Sequence, residues 1–270
     1  MASARDESMT LAGRTVLAIF AHPDDESLAC GGTLARLADK GARVVLLCAT
    51  HGERGAPVDP ALVPRGTLAE VREHELQEAA KVLGVSDVIV LDYPDGDLRW
   101  ARVDELREQI VKTITLYHPD VVITFDGDGL YWHLDHIGIH ERVFTAVQSI
   151  GPAAPPLYYV TIPHGIMRKL TDAAVAKGWV RPEKTFWGIT PDAFGIAADP
   201  PSLTVNVADW VPRKLAALGC HQSQMGVTNP FSMIDPAEAR LWLGVEHFRR
   251  EPLSTGDSLL ETIGAPVGTS

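Results

Sequence analysis

The chain has 270 residues, of which 24 are Lys or Arg and 35 are Asp or Glu, so its formal net charge is −11. With 46% hydrophobic and 22% charged residues, the composition is that of a folded globular protein and excludes a disordered or fibrous chain. The acidic excess argues against a nucleic acid or an anionic membrane as the main partner.

The ends and the cysteines of the chain carry weaker signals. Residues 1–13 begin polar and charged, which predicts a short flexible leader, and we expect residues 14–270 to form one domain. No apolar run reaches the roughly 18 residues that a membrane-spanning helix needs. Cys30, Cys48 and Cys220 are widely spaced, which favours free thiols and a reducing, cytoplasmic location over a disulfide framework.

Strand-like and helix-like segments alternate through the first half of the chain. The strand-like segments are short apolar runs typical of strands buried on both faces, at 15–20, 43–49, 88–91 and 121–125. The segments with helical spacing lie between them, at 33–40, 67–83 and 103–117. This alternation predicts right-handed crossovers and therefore an α/β fold with a mostly parallel sheet flanked by helices.

Beyond residue 150 the pattern becomes less regular. A strand at 157–162 and a helix at 167–177 are predicted, and the remainder of residues 163–202 has the composition of loops. We expect this loop-rich region, about 163–202, to cap the substrate site of the same domain. The sequence does not define an oligomeric state.

The first polar cluster follows the first strand directly, as His22-Pro23-Asp24-Asp25-Glu26. Ligands of parallel sheets bind outside the carboxyl ends of the strands, so chemistry is expected here. His22 and Asp25, three residues apart across a proline-stiffened turn, could face one metal ion and leave Asp24 free beside it. The alternative, a helix N-cap, explains one carboxylate but not the whole cluster.

The second polar cluster follows the fourth strand, between Asp126 and His136. Because both clusters follow parallel strands, they lie at the same edge of the sheet, and His133 and His136 are spaced to share one face of a helix. Two histidines and one carboxylate with open positions are typical of a catalytic zinc site. The same set suits non-haem iron or manganese, and the sequence does not choose among them.

These motifs resemble those of a known family. The stretch AHPDDE at 21–26, together with HLDH at 133–136, is similar to the PIG-L/LmbE family of zinc-dependent de-N-acetylases, which remove acetyl groups from N-acetylglucosaminyl (GlcNAc) conjugates on a Rossmann-like sheet. Four further stretches occur in family order: THGERG from Thr50, VREHEL from Val71, YPDGDL from Tyr93 and HQSQ from His221. The resemblance implies a hydrolase with Zn²⁺ as cofactor, with Fe²⁺ not excluded.

The resemblance also implies roles for individual residues. His22, Asp25 and His136 match the metal ligands, and Asp24 matches the general base. Three more match groups around the reacting carbonyl: His133 as oxyanion stabiliser, Asp135 as the carboxylate that orients His133, and Tyr131. Substrate contacts are implied for Glu53, Arg72 and Asp95, and His221 is expected either in the substrate pocket or just behind the residues that line it. Trp132, where the family usually has glycine, adds a bulky side chain beside the metal.

Simpler structural roles remain open for several of these residues. Arg72 could pair with Glu75 or Glu78 on a helix surface, and Glu53 or Asp95 could cap a turn. Asp135 could be a helix N-cap. His221 could be a solvent-facing histidine at the end of a helix. We expect Asp135 to raise the pKa of His133 and so keep it protonated beside the oxyanion.

The substrate is the least defined part of the prediction. The aromatic residues Trp179, Phe186, Trp187 and Phe194 could form an apolar wall for a large aglycone, although core packing is favoured for at least two of them. The sequence leans towards a glycopeptide-antibiotic pseudoaglycone as substrate. The alternatives are a GlcNAc-inositol or GlcNAc-malate thiol precursor, and a thiol conjugate cleaved as an amide.

Two other functional classes are less consistent with the sequence. A nucleotide-binding module predicts Gly-x-Gly-x-x-Gly after the first strand, and this chain has His-Pro-Asp-Asp-Glu there. A non-catalytic metal-dependent binding protein has no need of an unligated carboxylate such as Asp24. The sequence therefore favours a metal-dependent deacetylase that acts on a small glycoconjugate.

Overall fold

The computed structural model describes residues 10–63, 67–101, 103–183, 186–254, 256 and 258–267, without the side chains of Val103 and Phe186. The first nine residues of the predicted leader lie outside the described residues. Leu11, within the same segment, is buried, and its amide N–H donates to Lys40 O at 2.7 Å. No helix in the described part of the chain is long and apolar enough to cross a membrane.

Eight strands form one sheet in the order β3-β2-β1-β4-β5-β7-β6-β8. Their bounds are Thr15–Phe20 (β1), Arg43–Cys48 (β2), Asp87–Val90 (β3), Val121–Phe125 (β4), Leu157–Thr161 (β5), Leu203–Asn206 (β6), Val245–Glu251 (β7) and Gly264–Pro266 (β8). Strands β1 to β5 pair in parallel, whereas β7 pairs antiparallel with β5 and β6, and β8 pairs antiparallel with β6. The predicted parallel half is confirmed, and the antiparallel extension was not predicted.

The helices of the described residues cover both faces of the sheet. Their bounds are Asp25–Asp39 (α1), Leu68–Leu83 (α2), Val103–Tyr117 (α3), Gly129–Trp132 (α4), Leu134–Ile150 (α5), Ile166–Ala176 (α6), Val211–Leu218 (α7), Gln222–Met225 (α8), Pro230–Met233 (α9), Pro236–Leu243 (α10) and Leu259–Ile263 (α11). Short 3₁₀ turns occupy Pro60–Leu62, Gly151–Ala153, Phe186–Gly188 and Pro191–Ala193. The predicted start of the first helix at Thr33 is wrong, because α1 begins eight residues earlier, at Asp25 within the first polar cluster.

A kink inside α1 explains why its first turns were not predicted from the sequence. Cys30 has non-helical angles (φ −145°, ψ 27°), and the amides that this frees are bound by the Glu246 carboxylate, at 3.0 Å from Gly32 N and 2.7 Å from Thr33 N. Buried Lys214 donates to the same carboxylate at 2.6 Å. A Cβ on Gly32 would lie 2.7 Å from the Val207 side chain, so the close approach requires glycine.

The strand order places a crevice between β1 and β4. The chain proceeds from β1 to β2 on one side and from β4 to β5 on the other, so the loops that follow β1 and β4 diverge. Such a switch point is where open α/β sheets bind their ligands. The first polar cluster follows β1 and the second follows β4, and the topology therefore brings the two together.

Candidate active site

The three predicted metal ligands meet at this switch point. His22 Nδ1 lies 3.4 Å from Asp25 Oδ2, and His136 Nε2 lies 3.1 Å from Asp25 Oδ1 and 3.3 Å from His22 Nδ1. All three side chains are buried. Two imidazole nitrogens and a carboxylate therefore converge within one small volume.

Outer partners set which nitrogen of each histidine is free. The His136 Nδ1 atom lies 3.1 Å from Gly129 O, and its ring stacks on Phe125 with the centroids 4.0 Å apart. His22 Nε2 faces two carboxylates, Asp95 and Asp135, each at 3.1 Å. This hydrogen bonding assigns the protons to those atoms and leaves His22 Nδ1 and His136 Nε2 as lone-pair donors that face Asp25. The donor set fits a divalent metal such as Zn²⁺.

His133 approaches the same point. Ligand nitrogens of His22, His133 and His136 lie within 4.8 Å of one another, and so do ligand atoms of His22, Asp95 and Asp135. The second group consists of His22 Nε2 and the carboxylates that it faces. The first group shows that the His133 ring lies next to the proposed metal position.

The charged groups of the cluster shift one another's pKa values. Burial opposes ionisation of Asp25, but His136 and His22 outweigh it and hold the pKa of Asp25 well below its usual value. Burial likewise opposes the charged form of His22, and the carboxylates of Asp135, Asp25 and Asp95 nevertheless raise its pKa. Three carboxylates therefore surround His22, and their negative charge favours a cation at this place.

Asp24 stands apart from the ligands. It is the N-cap residue of α1 by position, but its backbone has φ 118° and its side chain makes no capping hydrogen bond, so the N-cap explanation is wrong for this carboxylate. Burial raises the pKa of Asp24 to about 6, against the opposing charge of Arg72. A carboxylate that titrates near neutrality and lines a cleft is suited to general base catalysis.

Arg72 reaches this site from α2. It is buried, and its guanidinium donates to Gly52 O at 2.8 Å, Pro23 O at 2.6 Å and Asp24 Oδ2 at 3.2 Å. The alternative of a surface ion pair with Glu75 or Glu78 is therefore wrong. Arg72 is placed to favour the ionised form of Asp24.

We expect Arg72→Met to move the acid limb of kcat/KM to higher pH, by about 1 pH unit or more. The base works only when deprotonated, so the rate falls below the pKa of Asp24, and loss of the guanidinium raises that pKa. In the wild type the limb should lie no higher than about 6, because a bound cation favours the carboxylate further. The pH profiles of the two proteins check this.

Arg54→Met is the matched control for that experiment. Arg54 also lines the cavity, but its guanidinium is half exposed and pairs with Asp97 at 2.8 Å. The control should leave the acid limb in place. An Arg72→Met enzyme with the wild-type limb would show that Arg72 does not tune Asp24.

The Asp135 carboxylate bonds to groups other than His133, the residue that it was predicted to orient. Its carboxylate accepts from Gly96 N at 2.6 Å and Leu98 N at 3.0 Å, and its Oδ2 faces His22. Gly138, one turn later, allows this approach, since a Cβ there would lie 2.8 Å from Arg99 N. The N-cap alternative is also wrong, because the N-cap of α5 is His133.

The protonation of His133 also differs from the expectation. Burial and the neighbouring charges of His136 and His22 lower its pKa to about 3, although Asp135 acts in the opposite direction. The ring is thus neutral, and its Nδ1 accepts from Asp135 N at 3.3 Å. The proton therefore lies on Nε2, which makes His133 a neutral hydrogen-bond donor at the cavity wall.

The predicted substrate residues divide into two groups. Arg72 and Asp95 line the cavity. Glu53 does not, and its carboxylate accepts from Asp95 N at 2.9 Å, so it caps the loop as the simpler alternative held. Trp132 is 55% exposed and does not line the cavity, so it is not the bulky side chain beside the metal that was expected.

His221 is neither a cavity residue nor solvent-facing. It is fully buried, and its Nε2 lies 2.8 Å from Glu26 Oε1. Burial opposes the charged form of His221, but Glu26 outweighs it and raises its pKa, while His221 in turn lowers the pKa of Glu26 against burial. A position in the cavity wall and a solvent-facing position are therefore wrong for His221, and the structure places it in a buried ion pair behind the residues that line the cavity.

A cavity of about 400 Å³ opens onto the cluster. Its walls include six residues singled out from the sequence: His22, Asp24, Arg72, Asp95, Tyr131 and His133. Six others were not singled out: Arg54, Gly55, Ala56, Gly96, Ile189 and Gln224. Most of them lie within the stretches that carry the family resemblance, and that position was the available signal.

The aromatic residues of the loop-rich region that was predicted to cap the site, about 163–202, pack in the core. Trp179, Trp187 and Phe194 are buried, with the two tryptophan rings edge to face at 5.5 Å. Phe194 packs on Tyr131 at 4.7 Å. Core packing is confirmed for these three, whereas the side chain of Phe186 lies outside the described residues. Among the described residues of 163–202, Ile189 lines the cavity.

A doubly wound sheet with a His₂Asp cluster and a separate carboxylate at its switch point defines the class of metal-dependent amidohydrolases. Residues 17–147 match the family model described as PIG-L, GlcNAc-PI de-N-acetylase. The chain belongs to this family and is a hydrolase of the deacetylase type.

Individual relatives support the assignment. A protein of Thermobispora bispora named 1D-myo-inositol 2-acetamido-2-deoxy-alpha-D-glucopyranoside deacetylase is 31% identical over 96% of this chain and 94% of its own length. The structure of N,N'-diacetylchitobiose deacetylase from Pyrococcus horikoshii is 25% identical, with a TM-score of 0.60 over 88% of this chain and 84% of that chain. The zinc-inhibited form of teicoplanin deacetylase Orf2 is 18% identical, with a TM-score of 0.60 over 88% of this chain and 99% of that chain, which shows the fold alone.

Proposed function

We propose that this protein removes the N-acetyl group from a GlcNAc conjugate with a small polyol aglycone, and that GlcNAc-inositol is the substrate. The observation that carries the proposal is the cavity of about 400 Å³ beside the His₂Asp cluster, whose wall carries charged, amide and hydroxyl side chains. The name of the Thermobispora bispora relative supports the inositol aglycone. GlcNAc-inositol, one of the alternatives stated from the sequence, thereby replaces the antibiotic pseudoaglycone as the proposed substrate.

In this proposal His22, Asp25 and His136 hold a divalent cation, Zn²⁺ in the first instance with Fe²⁺ also allowed by the donor set. When bound, such a cation polarises the amide carbonyl and lowers the pKa of water to about 7. Asp24 takes the proton of the attacking water and returns it to the leaving amine, because its carboxylate lies beside the ligands without joining them.

Two neutral donors face the developing oxyanion in this proposal. His133 carries its proton on Nε2, as its Nδ1 contact with Asp135 N requires. Burial raises the pKa of Tyr131 well above its usual value, so the hydroxyl keeps its proton and can donate as well. Fixed donors aimed at developing charge are among the strongest contributions to catalysis.

Recognition of the sugar and the aglycone falls to the polar wall. Asp95, Arg54 and Gln224 line the cavity and can bind hydroxyl groups. A large apolar aglycone would find Ile189 as its contact in the capping region, because the buried tryptophans there face the core. The wall therefore suits a polyol better than an aromatic peptide or a lipid.

An acetate-release assay on the metal-loaded full chain tests the proposal. The substrates are GlcNAc-inositol, GlcNAc-malate, lipid-linked GlcNAc and a GlcNAc pseudoaglycone, each with and without chelator. We expect GlcNAc-inositol to have the highest kcat/KM by at least about tenfold, since unpaired buried polar groups penalise the wrong aglycone. A higher value for the pseudoaglycone would restore the antibiotic alternative, and release of acetate from none would favour a binding protein.

A further inference from the structure

Two buried residues that the proposed mechanism does not use lie directly behind Asp24. Glu26 and His221 are 1% and 0% exposed, and His221 Nε2 lies 2.8 Å from Glu26 Oε1. The two residues are 195 positions apart in the chain, and neither lines the cavity. A buried ion pair at this place requires an explanation other than solvation or substrate contact.

The other carboxylate oxygen of Glu26 binds the main chain of Asp24. Glu26 Oε2 accepts from Asp24 N at 3.1 Å, while Oε1 accepts from Ser27 Oγ in addition to His221. Asp24 has φ 118°, a backbone conformation that residues with side chains rarely adopt and that persists only where the surroundings hold it. The bond from Glu26 is such a constraint.

The contacts of His221 depend on this pair. Its other ring nitrogen, Nδ1, has no hydrogen-bond partner among the described residues, so Glu26 provides the polar contact of the imidazole. The segment is held a second time two residues on, where Ser223 N and Ser223 Oγ each lie 2.7 Å from the Glu75 carboxylate. The 221–224 segment thus docks through two buried carboxylates, of which Glu26 alone touches Asp24.

We infer that Glu26 and His221 are positioning residues for Asp24. The pair holds the Asp24 main chain in its positive-φ conformation, so that the carboxylate faces the cavity and Arg72 instead of capping α1. His221 fixes the Glu26 carboxylate, and Glu26 fixes the Asp24 amide. The inference rests on the proposed role of Asp24 as base and goes beyond it, because it assigns a function to the HQSQ stretch far along the chain.

The test compares His221→Leu, which removes the donor, with His221→Gln, which can still donate to Glu26. On the metal-loaded enzyme we expect His221→Leu to lower kcat by about 100-fold with KM within about threefold, the penalty typical of a misplaced catalytic group. His221→Gln should recover at least about tenfold of that loss. Ser223→Ala, which removes a buried hydrogen bond of the same segment to Glu75, should keep the wild-type kcat.

A second measurement does not depend on turnover. Amide hydrogen exchange by NMR should show the Asp24 N–H exchanging at least about tenfold faster in His221→Leu and in Glu26→Gln than in the wild type or Ser223→Ala. Metal stoichiometry by calorimetry should be unchanged in all four proteins. If the wild type releases no acetate from any substrate, the proposed function fails, and the exchange measurement still decides the inference.

The outcomes that overturn the inference are distinct. They are wild-type exchange at Asp24 in both His221→Leu and Glu26→Gln, or equal loss of kcat in His221→Leu, His221→Gln and Ser223→Ala. The second pattern would show that the segment acts only through overall stability. Should His221→Leu fail to fold, Glu26→Gln, which keeps the size of the side chain, carries the same comparison with Ser223→Ala.

Discussion

Asp24→Asn should bind metal like the wild type, and its kcat should be lower by about 10²-fold to 10⁴-fold, the usual contribution of a positioned general base. The substitution keeps the shape of the side chain, and its oxygen can still accept from Arg72 Nη2, which lies 3.2 Å from the native carboxylate. The hydrogen bond from the Asp24 N–H to Glu26 is also unaffected, because the main chain donates it. Steady-state kinetics with parallel metal analysis measures both quantities.

Asp128→Asn provides the matched control. Asp128 is a buried aspartate at the same edge of the sheet, but its carboxylate accepts from Leu130 N at 3.0 Å and does not line the cavity. We expect this variant to keep its turnover while losing some stability, because a capping bond is weakened. A metal-replete Asp24→Asn enzyme with full activity would remove Asp24 from the mechanism.

The parallel half of the fold could be predicted because its strands are continuous apolar runs. β1 and β4 are buried along nearly their whole length, and the bounds of β4 match the expectation. β7 escaped prediction because Glu246 occupies a buried position in it, where an alternating pattern calls for an apolar residue. That carboxylate binds Gly32 and Thr33, more than 200 positions away, and no local pattern reports such a contact.

The candidate site was predicted as far as its residues are close in sequence. His22, Asp24 and Asp25 lie on one turn after a strand, and the sheet rule then places His133 and His136 beside them. The hydrogen-bond partners could not be predicted in this way. Asp135 could face either His133 or His22, and the choice depends on how the 93–99 loop approaches α5, which Gly138 permits.

The predictions of substrate residues that needed correction failed for the same reason. His221 was assigned to the pocket or just behind it because its stretch matches the family, and the structure shows that residues close together in that stretch have different surroundings. His221 and Ser223 face buried carboxylates, whereas Gln224 lines the cavity. A motif therefore locates a segment at a site, but the direction of each side chain depends on tertiary packing.

His136→Ala should abolish metal binding at the cluster, with an affinity loss of more than about 100-fold. That is beyond the 10–100-fold that the removal of an outer partner typically costs. His136 presents Nε2 to Asp25 and His22 at 3.1 and 3.3 Å, and its ring is held by Phe125 and Gly129 O. Its loss leaves one imidazole and one carboxylate of the three proposed ligands. Calorimetric titration with Zn²⁺ measures the affinity, and acetate release should fall with it.

His140→Ala is the control that separates ligation from folding. His140 lies one turn later on α5, bonds to Phe125 O at 3.0 Å through Nδ1 and packs on Tyr159 at 4.6 Å. Both variants remove an imidazole and its bond to a main-chain carbonyl, so they should lose comparable stability in thermal unfolding. We expect His140→Ala to bind Zn²⁺ within about tenfold of the wild type, since it removes no ligand. Equal loss of affinity in the two variants would mean that the metal site depends on the packing of α5 rather than on His136 itself.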